Sequence, residues 1–554
     1  MIAEAAVVYG DKPYLKYFDN DHNICELSFS DFASKVKALA TYFLSQGSNL
    51  NRIAILSENR YEWILAYASA IAAGKVVVPL DKDLQFSQAA AFLRLAEADT
   101  VIYSAKFDND IKQSLAPESS IGHFICFDRV ETEGDNRFSV FSDCIAKGEE
   151  LLAGGDISYS LIRTDSSAMR EILFTSGTTG TSKGVMLSED NIMTCVYSAA
   201  NMVDIDETDT ILSVLPFHHT YEASCSILTP ICIGTTVCIN NSLKYVMRNI
   251  KTFKPTALVL VPLFVTTIYK KINDEIRKTN KEKLVNGAIT VTRFSRKFGI
   301  DARRLAFKRI HNELGGRLKN IICGGAALDP EMVKRFEEFG IVVAQGYGIT
   351  ECAPLVSVNP YDRIKYASVG LPIEGSVVKI VGTDDNGNEI DLPCGEIGEI
   401  CVKGSHVMLG YYNNPEATKE AFNSEGFFRT GDYGYIDNEG YIYITGRKKN
   451  IIIFDNGKNV YPEEIEEYLS RCELICECAV VARNVDGEDM ITAVVFPDYS
   501  KFEGKSDVEI KEEIKKAVVA VNKTLPSFKQ VRNIEIKKSE FEKTTTKKII
   551  RSKI

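Results

Sequence analysis

At 554 residues the chain exceeds what one hydrophobic core supports, so about three or four structural units are expected. An apolar share of 45% with 25% charged residues is that of an ordinary globular protein and excludes wholesale disorder. The net charge of −10, with no zinc-finger or RNA-recognition pattern, disfavours nucleic acid as a partner.

The first ten residues lack the basic-then-apolar order of a secretion signal. Fourteen cysteines are scattered without a framework, which points to reduced thiols in a cytoplasm. Cys472, Cys476 and Cys478 form the one cluster, but their spacing is not that of a zinc knuckle. From residue 26 to about 350, helical periodicity alternates with short β-branched runs such as Arg52 to Leu56, Lys75 to Leu80 and Ala257 to Val261. Runs of this kind read as buried parallel strands, and the segments Asp31 to Leu44 and Glu62 to Ala73 read as the helices between them. The expected fold class is α/β with doubly wound layers, whose ligands sit at strand C-termini.

The run Leu173-Phe174-Thr175-Ser176-Gly177-Thr178-Thr179-Gly180-Thr181-Ser182-Lys183-Gly184 predicts a strand that feeds a phosphate-gripping loop. Glycines let successive N–H groups converge on an anion, hydroxyls add donors, and Lys183 supplies a point charge. It is not a Walker loop, because Ser182 stands where that pattern needs a glycine before the lysine.

Past Ala257 to Val265, an apolar stretch well short of the roughly 20 residues that span a bilayer, the sequence turns basic. Between Lys270 and Lys319 there are fifteen Lys and Arg against five Asp and Glu. Such a face rests on an anionic membrane, which would place the protein at the inner membrane surface, or meets an anionic partner, or is a solvated helical pair. From about residue 356 to 445 the texture changes to short strands with Asn-Gly and Gly turns, a β-rich, barrel-like subdomain. After Gly446-Arg447-Lys448-Lys449-Asn450 comes a smaller α+β texture with amphipathic helices at Glu463 to Arg471 and Asp507 to Leu525.

Four further motifs follow the Thr175 to Gly184 run: Gly324-Gly325-Ala326-Ala327, Gln345-Gly346-Tyr347-Gly348-Ile349-Thr350-Glu351, Thr430-Gly431-Asp432-Tyr433-Gly434, and Gly446 to Asn450. Their order and approximate spacing resemble the adenylate-forming superfamily of acyl-CoA synthetases, peptide-synthetase adenylation domains and beetle luciferases. The resemblance covers nearly the whole chain. It implies a large AMP-binding domain over 1–448 and a small mobile domain over 449–554, hinged at Lys449.

For the nucleotide, the resemblance implicates Thr175, Ser176, Gly177, Thr178, Thr179, Gly180 and Lys183 on the loop, then Gly325, Ala326, Tyr347 and Gly348. The flat face of Tyr347 could lie against a purine. Thr350 would present its hydroxyl to the α-phosphate, and Glu351, with Thr175, would supply hard oxygens to Mg²⁺. Asp432 can accept ribose hydroxyls, and Arg447 can grip ribose or phosphate oxygens. The tail Lys543 to Arg551 looks like the family's terminal lysine motif and puts the catalytic lysine at Lys548, although Lys547 stands where a glycine is usual. The implied domain swing brings Gly457 toward the incoming pantetheine arm of coenzyme A.

The run Leu215-Pro216-Phe217-His218-His219-Thr220-Tyr221-Glu222 is similar to that of long-chain fatty acid CoA ligases, with His219 at the family histidine near the acyl carbonyl. The expected function is ATP-dependent conversion of a medium- or long-chain fatty acid to acyl-AMP and then acyl-CoA. A carrier protein as acceptor, a luciferase-like oxygenase and a non-catalytic nucleotide-binding relative remain open.

Overall fold

Two extended sheets organise the first two-thirds of the chain. The computed structural model describes residues 1–117, 119–129, 134–175, 182–453, 459–485, 488–543 and 549–554. They divide into two compact units, the first comprising Met1–Val377 and Lys403–Phe428, the second Val378–Val402 and Arg429–Ile554.

In the first unit, a nine-stranded sheet runs spatially from Leu371–Pro372 through Leu355–Val358, Val342–Gly348, Asn320–Cys323, Ala257–Leu260, Thr210–Ser213, Thr236–Ile239 and Pro13–Phe18 to Ile24–Ser28. Its central strands, from Val342–Gly348 to Pro13–Phe18, are parallel neighbours. They carry almost unbroken apolar runs because helices cover both faces. An eight-stranded sheet runs from Gly410–Tyr411 through Lys183–Ser188, Met169–Thr175, Val76–Leu80, Arg52–Leu56, Thr100–Tyr103 and His123–Cys126 to Phe138–Val140. The expected strand at Arg52 to Leu56 is present residue for residue, parallel to Val76–Leu80.

The helices follow the apolar periodicity. Phe29–Ser45 buries Phe32, Val36, Leu39, Ala40 and Phe43, and its N-terminus is capped by Ser28, whose side chain accepts from the Asp31 N–H. Its outer neighbour Phe141–Ala153 approaches closely: a methyl group on Gly148 would stand 1.9 Å from the carbonyl oxygen of Ala38.

In the second unit, a five-stranded sheet runs from Glu389–Asp391 through Val377–Thr383, Gly398–Lys403 and Phe428–Ile436 to Ile442–Arg447, with antiparallel pairs at both ends. The Asp-Asn-Gly and Asp-Asn-Glu-Gly turns read from sequence are here; the Gly387 N–H bonds Asp384 and the Gly440 N–H bonds Asp437. A three-stranded sheet of Ile475–Val485, Glu488–Pro497 and Asn533–Ile536 packs its core residues against Ile465, Leu469, Ile510, Ile514 and Val518 from helices Pro462–Ser470 and Asp507–Asn522.

Among the described residues no helix is long and apolar enough to cross a membrane, no group of three His, Cys, Asp or Glu could hold a metal, and the cysteines form no disulfide. Because the crossing of helices Phe29–Ser45 and Phe141–Ala153 leaves no room for a side chain, Gly148→Ala should cost about 2 kcal/mol despite its better helix propensity. A urea midpoint unchanged by this substitution would show that the two backbones do not approach in this way.

Candidate functional site

The topology of the nine-stranded sheet concentrates candidate residues along one edge. Four neighbouring parallel strands, Val342–Gly348, Asn320–Cys323, Ala257–Leu260 and Thr210–Ser213, release their chains at the same end. The segments that follow include Thr350 and Glu351, Gly324 to Ala326, and Leu215 to His219. Carboxyl ends of parallel strands are the usual ligand-binding edge of such sheets.

Gly325 and Ala326 are exposed there, Gly325 in the left-handed region at φ 92°. The preceding Gly324 lies against the ring of Tyr221, whose hydroxyl donates to the carbonyls of Leu260 and Ile322 at 3.3 and 3.2 Å. Tyr221 thereby ties the ends of two of these strands together. Tyr347 is 7% exposed, largely inside the strand layer rather than on its surface. Gly348 is sterically obligatory, since a Cβ there would meet the Pro354 carbonyl oxygen at 2.0 Å.

Glu351 sits in a single 3-10 turn, Thr350–Cys352, and is half-buried. Its Oε1 accepts from the Tyr411 hydroxyl at 3.0 Å, while its carbonyl accepts from the Met408 N–H at 2.8 Å. Burial first, and then the Glu351 carboxylate, push the Tyr411 phenol far above its ordinary range, so it stays protonated and donates. The Lys183 ammonium stands 4.7 Å from the centroid of the same ring, a cation–π contact. Thr175 ends the strand opposite, its hydroxyl donating to the Lys183 carbonyl at 3.4 Å. One tyrosine therefore brings together a loop lysine and a candidate metal-binding carboxylate 168 positions apart in sequence.

Tyr411 was not legible as a site residue. The surrounding Gly410-Tyr411-Tyr412-Asn413-Asn414-Pro415 reads only as a turn before a helix, and Asn414 indeed caps Pro415–Ala421. Asn59 is a second such residue: its amide donates to the Leu215 carbonyl at 2.7 Å and accepts from the Phe217 N–H at 3.0 Å, clamping the histidine run.

His219 occupies the N-cap of the short helix Thr220–Glu222, its ring 4.1 Å from that of His218. Burial, reinforced by Lys82, lowers the His218 pKa to about 3, so its 3.6 Å approach to Asp81 is a neutral contact and not an ion pair. Beneath them Glu222 is fully buried, taking hydroxyl donors from Ser213 and, at 2.9 Å, from Ser226.

In the second unit, Asp432 and Arg447 are register partners on adjacent antiparallel strands, and the Arg447 Nε donates to Asp432 Oδ1 at 2.9 Å. Asp432 is buried and its Thr430 neighbour supports it from behind: the Thr430 hydroxyl donates to the Ile400 carbonyl and accepts from the Asp432 N–H. Lys449 is lowered in pKa by burial and then by the charge of Arg447. Lys448 instead pairs with Glu399 at 2.7 Å. Ser176, Gly177, Thr178, Thr179, Gly180, Gly457 and Lys548 lie outside the described residues. The flanks of the lysine motif are anchored: Lys543 pairs with Ile549 across an antiparallel bridge, and Arg551 bonds Glu466 and the Val480 carbonyl.

A family model described as AMP-binding enzyme matches residues 2–412, and one described as AMP-binding enzyme C-terminal domain matches residues 449–554. The chain is 26% identical over 552 residues to the long-chain-fatty-acid–CoA ligase FadD15 of Mycobacterium bovis, covering 94% of this chain and 88% of that one. It is 28% identical over 530 residues to the chloroplastic long-chain-fatty-acid–(acyl-carrier-protein) ligase AEE15 of Arabidopsis thaliana, covering 84% and 71% respectively. In fold it matches the crystal structure of the anthranilate CoA ligase AuaEII in complex with anthranoyl-AMP, with a TM-score of 0.78 at 20% identity over 100% of this chain and 95% of that one.

Glu222 generates a pH prediction. Burial raises its pKa from 4.5 to about 7 even though Ser213 and Ser226 donate to it, and its charge is felt by Tyr221 and Cys225. Between those values the folded chain holds a proton that the unfolded chain has released. This group's contribution to stability is therefore complete below the lower value and is lost as pH rises through the higher one. Glu222→Gln should flatten the decline in thermal midpoint between about pH 5 and about pH 7.5. Parallel decline in both proteins would remove Glu222 as the titrating group.

Proposed function

The chain belongs to the AMP-binding enzyme family, and on that premise we propose that it is an AMP-forming ligase that charges a medium- or long-chain fatty acid with coenzyme A. The observation that carries this reading is the match of both family models, in order, to a chain that retains Thr350, Glu351, Asp432, Arg447 and the terminal Lys548. The fatty-acid class is supported by the names of the relatives and by the Leu215 to Glu222 run.

In the first half-reaction a carboxylate oxygen of the acid attacks the α-phosphorus of ATP, and the P–O bond to the pyrophosphate leaving group breaks. Two anions must approach, so cations fixed beside them lower the barrier most where charge develops. Lys183 serves the outer phosphates, held in place by the Tyr411 ring, and Lys548 bridges the acid carboxylate and the α-phosphate. Thr350 donates to the α-phosphate, Asp432 accepts from the ribose hydroxyls, and Arg447 steadies ribose or phosphate oxygens.

Glu351 fits Mg²⁺: it is a single half-buried carboxylate oriented by a neutral phenol, and a hard ion of this kind is normally held by one or two carboxylates together with substrate phosphates and water. Thr175 adds a hydroxyl to that set. When bound, the ion neutralises charge on the leaving phosphates. In the second half-reaction the thiol attacks the acyl carbonyl, the bond to AMP breaks, and the thiol proton passes to solvent. His219 lies beside the acyl carbonyl, Lys449 is the hinge between the half-reactions, and Gly457 leaves room for the pantetheine arm. The relative named as an acyl-carrier-protein ligase supports the same thioester chemistry with a carrier protein as acceptor.

A panel of acids from acetate to oleate, assayed with ATP and either free coenzyme A or purified carrier protein, tests the reading. AMP and pyrophosphate should accumulate with medium- or long-chain acids; ADP with orthophosphate would end it. Lys548→Ala should lower adenylation by about 10²-fold or more while a supplied acyl adenylate is still converted to thioester. Tyr411→Phe keeps the ring under Lys183 but removes the donor to Glu351. The Mg²⁺ concentration for half-maximal pyrophosphate release should rise about tenfold, and an unshifted Mg²⁺ requirement would separate Tyr411 from the metal site.

A further inference from the structure

The helical segment after Pro262 has two apolar faces, and one is uncovered. Helix Glu282–Arg296 packs inward through Ile289 and Thr292, with Val285 and Ala288 beside them. On the opposite side Leu284, Val291 and Phe294 follow one another at spacings of seven and three, and Phe298 continues the row four residues on. This spacing places them on one face. They are 68%, 68%, 62% and 68% exposed, and the Phe294 and Phe298 rings meet edge to face at 5.1 Å. Ile300 and Leu305, in the same segment, are also exposed. A solvated helix normally presents charge on this side.

The segment that carries this row is cationic. Residues 270–319 carry a net +10 in a chain of net −10. Several arginines are spent within the fold: Arg293 pairs with Glu338, Arg296 with Glu337 and Arg309 with Glu275. Exposed Lys283, Lys297 and Lys308 have no acidic partner among the described residues.

We propose that the face of Leu284, Val291, Phe294 and Phe298, with the exposed Lys283, Lys297 and Lys308 of the same basic segment, docks the protein on an anionic lipid surface. Apolar side chains accompanied by lysines suit the boundary between headgroups and acyl chains, where the rings enter the apolar layer and the ammonium groups meet lipid phosphates. A second copy of the chain is disfavoured on this face, because a two-fold contact would set two strongly positive patches against each other.

The test is co-flotation of the full chain with vesicles of phosphatidylcholine alone or with roughly one-third phosphatidylglycerol. The protein should float with the anionic vesicles, stay behind with the neutral ones, and be released by high salt. The triple variant Val291→Ser, Phe294→Ser, Phe298→Ser, and separately Lys283→Glu, Lys297→Glu, Lys308→Glu, should each lower vesicle partitioning at least about tenfold. Unchanged circular dichroism and thermal midpoint would show that both variants fold. No flotation of the native chain, or equal flotation of the variants, overturns the proposal. So does a dimer in light scattering that the serine variant dissociates while vesicles bind nothing, since the face would then belong to a second copy. Because the readout is binding to lipid, its failure leaves the ligase reading untouched, and the converse holds.

Discussion

The return of residues 403–428 to the first unit is the constraint on which the candidate site depends. After an excursion through the second unit, the chain comes back as an edge strand, Gly410–Tyr411, paired with Lys183–Ser188. The junction is hydrogen-bonded throughout. The Asn191 amide donates to the carbonyls of Ser405 and Val407 at 2.8 and 2.9 Å while its oxygen accepts from the Ser188 N–H. Met408 donates to the Glu351 carbonyl and Tyr412 to the Gly184 carbonyl. A buried amide with its donors and its oxygen all engaged is costly to disturb, since any slip leaves polar groups desolvated and unpaired. Only with this register held does Tyr411 reach Glu351 and Lys183 at once.

Electrostatics then sort the molecule. A globally acidic chain concentrates cations in two settings: next to the proposed phosphate site, where Lys183 is pinned by an aromatic face, and along the helices after Pro262, where lysines accompany an apolar row. Acidic groups inside the fold are treated differently. Burial keeps the Glu222 carboxyl protonated toward neutral pH, against the Ser213 and Ser226 hydroxyls that favour its charged form, whereas Asp432 sits beside Arg447 and keeps a charged partner.

Much of the architecture was legible residue by residue. The strand Arg52–Leu56 and the helices Phe29–Ser45, Tyr61–Ala72 and Pro462–Ser470 lie within one or two residues of where apolar periodicity puts them, because each buries a regular face. The helix expected to run to Leu525 stops at Asn522, whose side chain turns back to hold Val531. The Leu173 to Gly184 run could be read as a strand feeding a loop because a β-branched and aromatic stretch runs straight into glycines and hydroxyls, and the strand Met169–Thr175 is there. Asn59 and Tyr411 escaped for a common reason: each acts on residues far away in sequence, and an isolated Asn or Tyr before a helix carries no local signal.

Sequence by itself determined the α/β class, the order of the nucleotide motifs and the excess of positive charge after Pro262, since these depend on local periodicity, glycine and proline chemistry and composition. Tertiary structure alone decided that Tyr411 joins Lys183 to Glu351, that Tyr221 and Asn59 brace the strand-end loops, and that the row from Leu284 to Phe298 faces outward. Pairing across more than a hundred residues, and the choice of which of two apolar helix faces is buried, are settled by packing against partners that no stretch of the chain specifies on its own.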